Sequence, residues 1–143
     1  GDVYKRQVYT LAPRARVLCM AQSADDLLVQ TAAVLASGGT ALWPSAHAGL
    51  RAKLPTHVQA QVILQDNALS DGTVALDAVL HHGDAASLQT VCTTLARRPG
   101  PIVGVTALQP GATNIPLERL LIERALSVNT AAAGGNASLM TIG

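Results

Sequence analysis

Short, continuous apolar runs alternate along this chain with longer amphipathic stretches, and this alternation restricts the folds available to it. Five of the runs predict strands, at residues 16–21, 40–43, 62–64, 77–81 and 102–107. A run that is apolar throughout is typical of a strand buried on both faces, as in a parallel sheet covered by helices. The segments between the runs are long enough for crossover connections. The sequence therefore predicts a three-layer, Rossmann-like α/β fold with a mostly parallel sheet.

Helix start and stop signals follow the first strand run. Ser23 is a candidate N-cap, and Asp26 lies near the positive end of a helix that we expect to extend to about Ser37. Gly38 and Gly39 then provide a stop signal. The side chains predicted to face inward from this helix are Leu27, Thr31, Val34 and Leu35.

Two further helices are predicted between the later strands. Ser45 is the candidate N-cap of one that ends near Pro55, and residues 65–73 form a polar connection after the third strand. Asp84 is the candidate N-cap of the other. Its apolar stripe consists of Leu88, Val91, Cys92 and Leu95, and it is ended by Arg97, Arg98, Pro99 and Gly100.

After the fifth strand the sequence predicts a loop at residues 109–114 and then a last helix. Pro116 suits the first turn of this helix, and Leu117, Leu120 and Leu121 form an inward stripe. Residues 126–130 are predicted to form a final strand.

Composition narrows the function classes. Hydrophobic residues make up 49% of the 143 and charged residues 13%, which excludes a disordered chain and indicates one domain that buries more than one face. The net charge is +1 with scattered basic residues, so no nucleic-acid contact is predicted. The apolar stretches are much shorter than the roughly twenty residues of a membrane span, so no span is predicted. Cys19 and Cys92 lie in apolar patterns and are predicted to be core thiols.

The turn after the first strand decides whether such a fold would bind a nucleotide. Its sequence, AQSADD, contains no glycine, and Asp25 and Asp26 would repel a pyrophosphate at the position where a GxGxxG turn binds one. A P-loop motif is also missing from the sequence. We therefore expect a sheet that keeps the architecture without the dinucleotide.

One polar cluster, His81, His82, Gly83 and Asp84, follows a predicted strand at the end where α/β sheets bind ligands. Two imidazoles and a carboxylate suit a metal or proton transfer, but neighbouring residues on a strand point to opposite faces. The favoured interpretation is a strand end, a turn and a helix cap. The sequence has no GxSxG motif and neither cysteine has a neighbouring base, so no catalytic, cofactor-binding or metal site is predicted. His47 and His57 are predicted to be surface residues.

The two ends of the chain differ from the middle. Residues 1–7, GDVYKRQ, resemble translated sequencing-adapter sequence and are set aside, which leaves residues 8–126 as the predicted domain. Residues 127–143 are glycine-rich and partly apolar, with no charge from Val128 onward. Chain ends are normally polar, so we expect this tail to dock onto another surface. The chain is expected to be the C-terminal fragment of a longer polypeptide.

Residues 117–143, LERLLIERALSVNTAAAGGNASLMTIG, resemble the C-terminus of the proline utilization A (PutA) family. That family joins proline dehydrogenase to L-glutamate-γ-semialdehyde dehydrogenase in one polypeptide. Weaker similarities follow in order at residues 9–18 (YTLAPRARVL), 41–44 (ALWP), 77–84 (DAVLHHGD) and 101–105 (PIVGV). Residues 45–74 depart from the family pattern.

The resemblance implies a non-catalytic domain of aldehyde-dehydrogenase-superfamily type, followed by a tail that covers the substrate-channelling passage of the parent enzyme. It implies FAD and NAD in the parent and neither in this chain, with the upstream dehydrogenase domains of the same polypeptide as partners. The parent is expected to be cytoplasmic and homo-oligomeric, with peripheral attachment to the inner membrane as an alternative.

Two other functions stay open: a structural or oligomerisation module of the same parent, and a free-standing nucleotide-binding α/β domain. The residues predicted to dock the tail and seal the passage are Asn129, Thr130, Gly134, Gly135, Asn136, Ser138, Leu139 and Met140.

Overall fold

A single sheet of five parallel strands organises the described part of the molecule, and its strand order is β3-β2-β1-β4-β5. The structure, a computed structural model, describes residues 15–116 and Leu120. The strands are β1 (Arg16–Met20), β2 (Thr40–Trp43), β3 (Val62–Leu64), β4 (Ala78–His82) and β5 (Gly104–Leu108). Five of the six predicted strands and the parallel α/β architecture are therefore confirmed, and the sixth strand, predicted at residues 126–130, lies outside the described residues.

The strand order reverses direction between β1 and β4. Leu18 of β1 is in register with Leu42 of β2 on one side and with Val79 of β4 on the other. The chain then proceeds outward from β2 to β3 in one direction and from β4 to β5 in the other. This switch point opens a crevice between the connections that leave the carboxyl ends of β1 and β4.

The helices are α1 (Ala24–Ala36), α2 (Ala48–Ala52), α3 (Thr56–Gln59) and α4 (Ala85–Ala96), with one 3₁₀ turn at Ser45–His47. The caps of α1 and α4 agree with prediction. Ser23 accepts a hydrogen bond from the backbone N–H of Asp26 at 3.1 Å, and Asp84 accepts one from that of Ser87 at 2.8 Å. Both helices therefore begin where a side chain satisfies a free N–H of the first turn.

Aliphatic side chains fill the space on both faces of the sheet. The α1 face buries Trp43 of β2 and Leu80 of β4 against Leu27 and Val34 of α1. The opposite, α4 face buries alternate strand residues, such as Leu18 and Val79, against Val91 and the connection after β3. Strands covered on both faces explain why their sequences are apolar throughout.

One polar contact completes the core on the α1 face. The Trp43 indole N–H donates to the Thr31 hydroxyl at 2.9 Å, and that hydroxyl donates to the Leu27 carbonyl at 2.8 Å. The only tryptophan of the chain is thus fully buried with its donor satisfied.

Several predicted details are wrong. Ser45 does not cap a helix, because Pro44 holds the N-cap position of the 3₁₀ turn and the Ser45 hydroxyl bonds Asp66 instead. The short helix Thr56–Gln59 was not predicted. The fifth strand begins at Gly104, and Ile102, predicted inside it, is 94% exposed.

The stripe predicted on α4 is buried only in part. Val91 is buried and Leu88 and Leu95 are half-buried, whereas Cys92 is exposed and is not a core thiol. The outer side of the stripe, at Cys92 and Leu95, faces a groove that Ile102 and Val105 also line. Within the described part of the chain, no helix has the length and hydropathy needed to cross a membrane.

Candidate functional site at the switch point

The crevice between β1 and β4 is occupied by polar side chains from three parts of the fold. Asp26 and Gln30 project from α1, His82 lies at the end of β4, and the loop after β5 crosses above them at Gly111 and Ala112. All three side chains are buried. This is the position at which an open parallel sheet of this topology binds ligands.

Gln30 joins the two strands that diverge at the switch point. Its side-chain Nε2 donates to the Met20 carbonyl at 2.9 Å and to the Leu80 carbonyl at 3.3 Å. The same nitrogen lies 2.8 Å from Nδ1 of His82. Its Oε1 is buried and has no hydrogen-bond partner among the described residues. Because Nε2 faces three acceptors, the amide orientation is fixed by its surroundings.

His82 connects Gln30 to the loop after β5. Its Nε2 lies 2.8 Å from the carbonyl oxygen of Ala112, which requires that Nε2 carry the hydrogen. Its Nδ1 then accepts from Gln30. The partners on the two sides of the ring thus select one neutral tautomer.

Asp26 bonds the same loop from the first turn of α1. Both of its carboxylate oxygens accept from the backbone N–H of Gly111, at 3.1 and 3.2 Å, and Oδ1 lies 3.9 Å from Nε2 of His82. The positive end of the helix dipole stabilises a carboxylate at this position. A phosphate at this position would have to displace the carboxylate and the loop bound to it.

His81 points to the other face of the sheet, as predicted from its place on the strand. Its Nε2 lies 3.0 Å from the Ser87 hydroxyl in the first turn of α4. Burial lowers the pKa of His81, and the Asp84 carboxylate opposes this shift. A side chain at Gly83 would bring Cβ within 2.6 Å of both His81 Cε1 and Ser87 Oγ. The close packing of this corner therefore favours the interpretation as a strand end, a turn and a helix cap.

Metal binding finds no support in the geometry. Among the described residues, no three His, Cys, Asp or Glu side chains converge on one point. The two adjacent histidines bond different helices on opposite faces. They therefore do not form a joint site.

The cysteines do not form a catalytic site either. Burial raises the pKa of the Cys19 thiol to about 12, so it is not a thiolate at neutral pH. Cys92 is exposed beside a groove of about 340 Å³ that also includes Leu95, Ile102 and Val105. The groove is lined mainly by apolar side chains and suits packing better than chemistry.

Comparison with known proteins identifies the family. The whole chain aligns with the Bifunctional protein PutA of Salmonella typhimurium at 52% identity over 147 positions, and with that of Escherichia coli K12 at 50%. The PutA of Rhizobium meliloti is 39% identical over the whole chain. This chain belongs to the PutA family. It spans about 11% of the length of the first two PutA relatives. No protein-family model matches the chain.

The PutA resemblance was recognised mainly in the tail, and the predicted tail residues, from Asn129 to Met140, lie outside the described residues. Sequence reasoning noted Asp26 and His82 separately but did not place them together, and it missed Gln30. The signal for Gln30 was present, because it lies three residues after Leu27 on the inward face of α1. A polar residue at such a position needs buried partners.

Proposed function

We propose that this chain is the non-catalytic C-terminal domain of a PutA-like bifunctional enzyme, and that it covers the passage between two dehydrogenase sites. The parent would oxidise proline to glutamate in two steps, through proline dehydrogenase and L-glutamate-γ-semialdehyde dehydrogenase. FAD and NAD would bind to the upstream domains of this cytoplasmic polypeptide. The identity to PutA relatives over the whole chain supports this assignment.

The observation that carries the proposal is the self-occupied crevice. In a Rossmann-like sheet, a dinucleotide would place its pyrophosphate at the N-terminus of α1. Here the Asp26 carboxylate and Gly111 fill that position. A domain that closes its ligand site with its own side chains is suited to supporting the parent enzyme and covering its passage, and not to catalysis.

The tail supplies the covering element of the proposal. Residues 131–135, AAAGG, have little side-chain bulk, so their backbone can approach a neighbouring surface closely. Leu139 and Met140 supply apolar anchors, and polar side chains such as Asn129, Thr130, Asn136 and Ser138 can satisfy backbone groups at the contact. A sealed passage would retain the semialdehyde near the second active site and raise its effective concentration.

Deletion of residues 127–143 from the full-length polypeptide tests the proposal. The coupled conversion of proline to glutamate should acquire a lag, or the second reaction should weaken, while proline oxidation alone stays unchanged. A variant that carries the same seventeen residues in scrambled order controls for the loss of chain length. Coupled kinetics equal to those of the intact polypeptide would refute the covering function.

The exposed groove beside α4 favours a second candidate, a structural or oligomerisation module of the same parent. Ile102 and Cys92 expose apolar surface there that another domain or subunit could bury. This candidate predicts that deletion of the tail changes the assembly state, measured by light scattering, and leaves the coupled kinetics intact. The same deletion therefore separates the two functions.

A further inference from the structure

The loop after β5 is held at two adjacent residues by two unrelated elements. Gly111 donates its N–H to Asp26 of α1, and the next residue, Ala112, accepts at its carbonyl from His82 of β4. The two bonds have opposite polarity, so together they fix both the position and the orientation of this backbone. Gly111 has a φ of +84°, a conformation that favours glycine, so the loop sequence itself suits the held geometry.

Further hydrogen bonds fix the two side chains, Asp26 and His82, that bond the loop. The His82 side chain is fully buried, and Gln30, also fully buried, fixes its tautomer so that Nε2–H faces Ala112. Ser23 caps the turn that carries Asp26. Asp26 and His82 are thus preorganised to bond the loop. The backbone pairing between β1 and β4 does not depend on either side chain.

The chain that leaves this point continues along α1. Thr113, Asn114 and Ile115 lie beside the small side chains of Ala32 and Ala36. Ile115 is buried in the α1-face core, and so is Leu120 farther along. The path of residues 113–116 is therefore set at Gly111 and Ala112.

We propose that Asp26 and His82 form a latch that locks the loop after β5 across the crevice and so directs residues 113–116 onto the α1 face. In a sheet that bound a nucleotide, this crevice would have to remain open. Here the latch makes the usual ligand position of such a sheet into an anchor for the chain itself. The latch stands on the contacts described, and only its use in placing a covering tail rests on the proposed function.

Hydrogen–deuterium exchange on the full chain tests the latch. Asp26→Ala should raise the exchange rate of residues 109–116 by roughly tenfold or more, because a charge-assisted hydrogen bond to a buried carboxylate is lost. His82→Leu should accelerate the same segment, while Gln30 keeps its bonds to the two strand carbonyls. The control is Asp25→Ala, which removes the neighbouring but exposed carboxylate of the same helical turn.

Two outcomes would overturn the latch. One is exchange at residues 109–116 that is equal in the Asp26→Ala and Asp25→Ala variants. The other is an exchange rate in β1 that rises by the same factor, because this would show that the variant destabilises the whole fold and not the loop alone. If Asp26→Ala fails to fold, Asp26→Asn gives the same comparison with a smaller, few-fold acceleration, since its amide oxygen is a weaker acceptor. Neither result bears on the tail deletion, so the two proposals can fail separately.

Discussion

Replacement of Gln30 by methionine removes the hydrogen bonds at the switch point with little change in side-chain volume. Gln30 is fully buried, and its Nε2 faces the Met20 carbonyl, the Leu80 carbonyl and Nδ1 of His82. Methionine is unbranched and flexible enough to fill the same space. The variant therefore isolates the contribution of the amide from that of packing.

The expected loss can be worked out from these contacts. Because an amide NH2 carries only two hydrogens, it makes at most two full hydrogen bonds among these three acceptors. Two bonds at about 0.5–1.5 kcal/mol each amount to roughly 2 kcal/mol. Methionine also removes the Gln30 Oε1 atom, which is buried without a partner among the described residues. Removal of that unsatisfied acceptor stabilises the variant by roughly 1 kcal/mol, which offsets part of the loss. The free energy of unfolding should thus fall by about 1 kcal/mol, an appreciable fraction of the stability of a typical domain.

Urea unfolding of the chain, followed by tryptophan fluorescence, measures this difference. Trp43 is the only tryptophan and is fully buried, so its emission reports the core next to α1. Gln89→Met, at an exposed position of α4, is the matched control and should change stability by less than about 0.5 kcal/mol. If Gln30→Met is as stable as this control, the amide does not hold the strands together and the argument for the preorganised crevice fails.

Other consequences of the structure are accessible to simple measurements. Ser23→Ala removes the side-chain cap of α1 and should lower the unfolding free energy by about 1 kcal/mol in the same urea experiment. Burial lowers the pKa of His81 in the folded chain, so the unfolded chain binds more protons as pH falls through the ordinary value of about 6.5, and stability should decrease there. His81→Leu should reduce this slope, whereas the exposed His57→Gln should not. A thiol reagent should modify Cys92 in the folded chain and reach Cys19 only after denaturation, because Cys19 is buried with a raised pKa.

The sequence predicted the elements that depend on local signals. The first helix has both a capping side chain and a glycine stop, so its limits, at Ser23 and Gly38, were recoverable to within a residue. The strands were recoverable because burial on both faces leaves an apolar run without interruption. These signals are contained within a few neighbouring residues.

Features that depend on distant partners were not recoverable. Ile102 belongs to an apolar run, but pairing with β4 begins at Gly104, so the run alone did not fix the start of the strand. Cys92 continues the apolar pattern of α4 but faces the open groove beside Ile102, so the pattern alone did not predict its exposure. The convergence of Gln30, His82 and Gly111 joins residues far apart in the chain, and no local pattern announces such contacts.

The proposed supporting and covering function depends on a crevice that the chain closes with its own residues. Isothermal titration calorimetry of NAD into the full chain tests it most directly. We expect no saturable heat of binding up to millimolar NAD, because Asp26 and the loop at Gly111 occupy the position that the pyrophosphate would need. Saturable one-to-one binding with a micromolar dissociation constant would contradict it and would restore the interpretation as a nucleotide-binding domain.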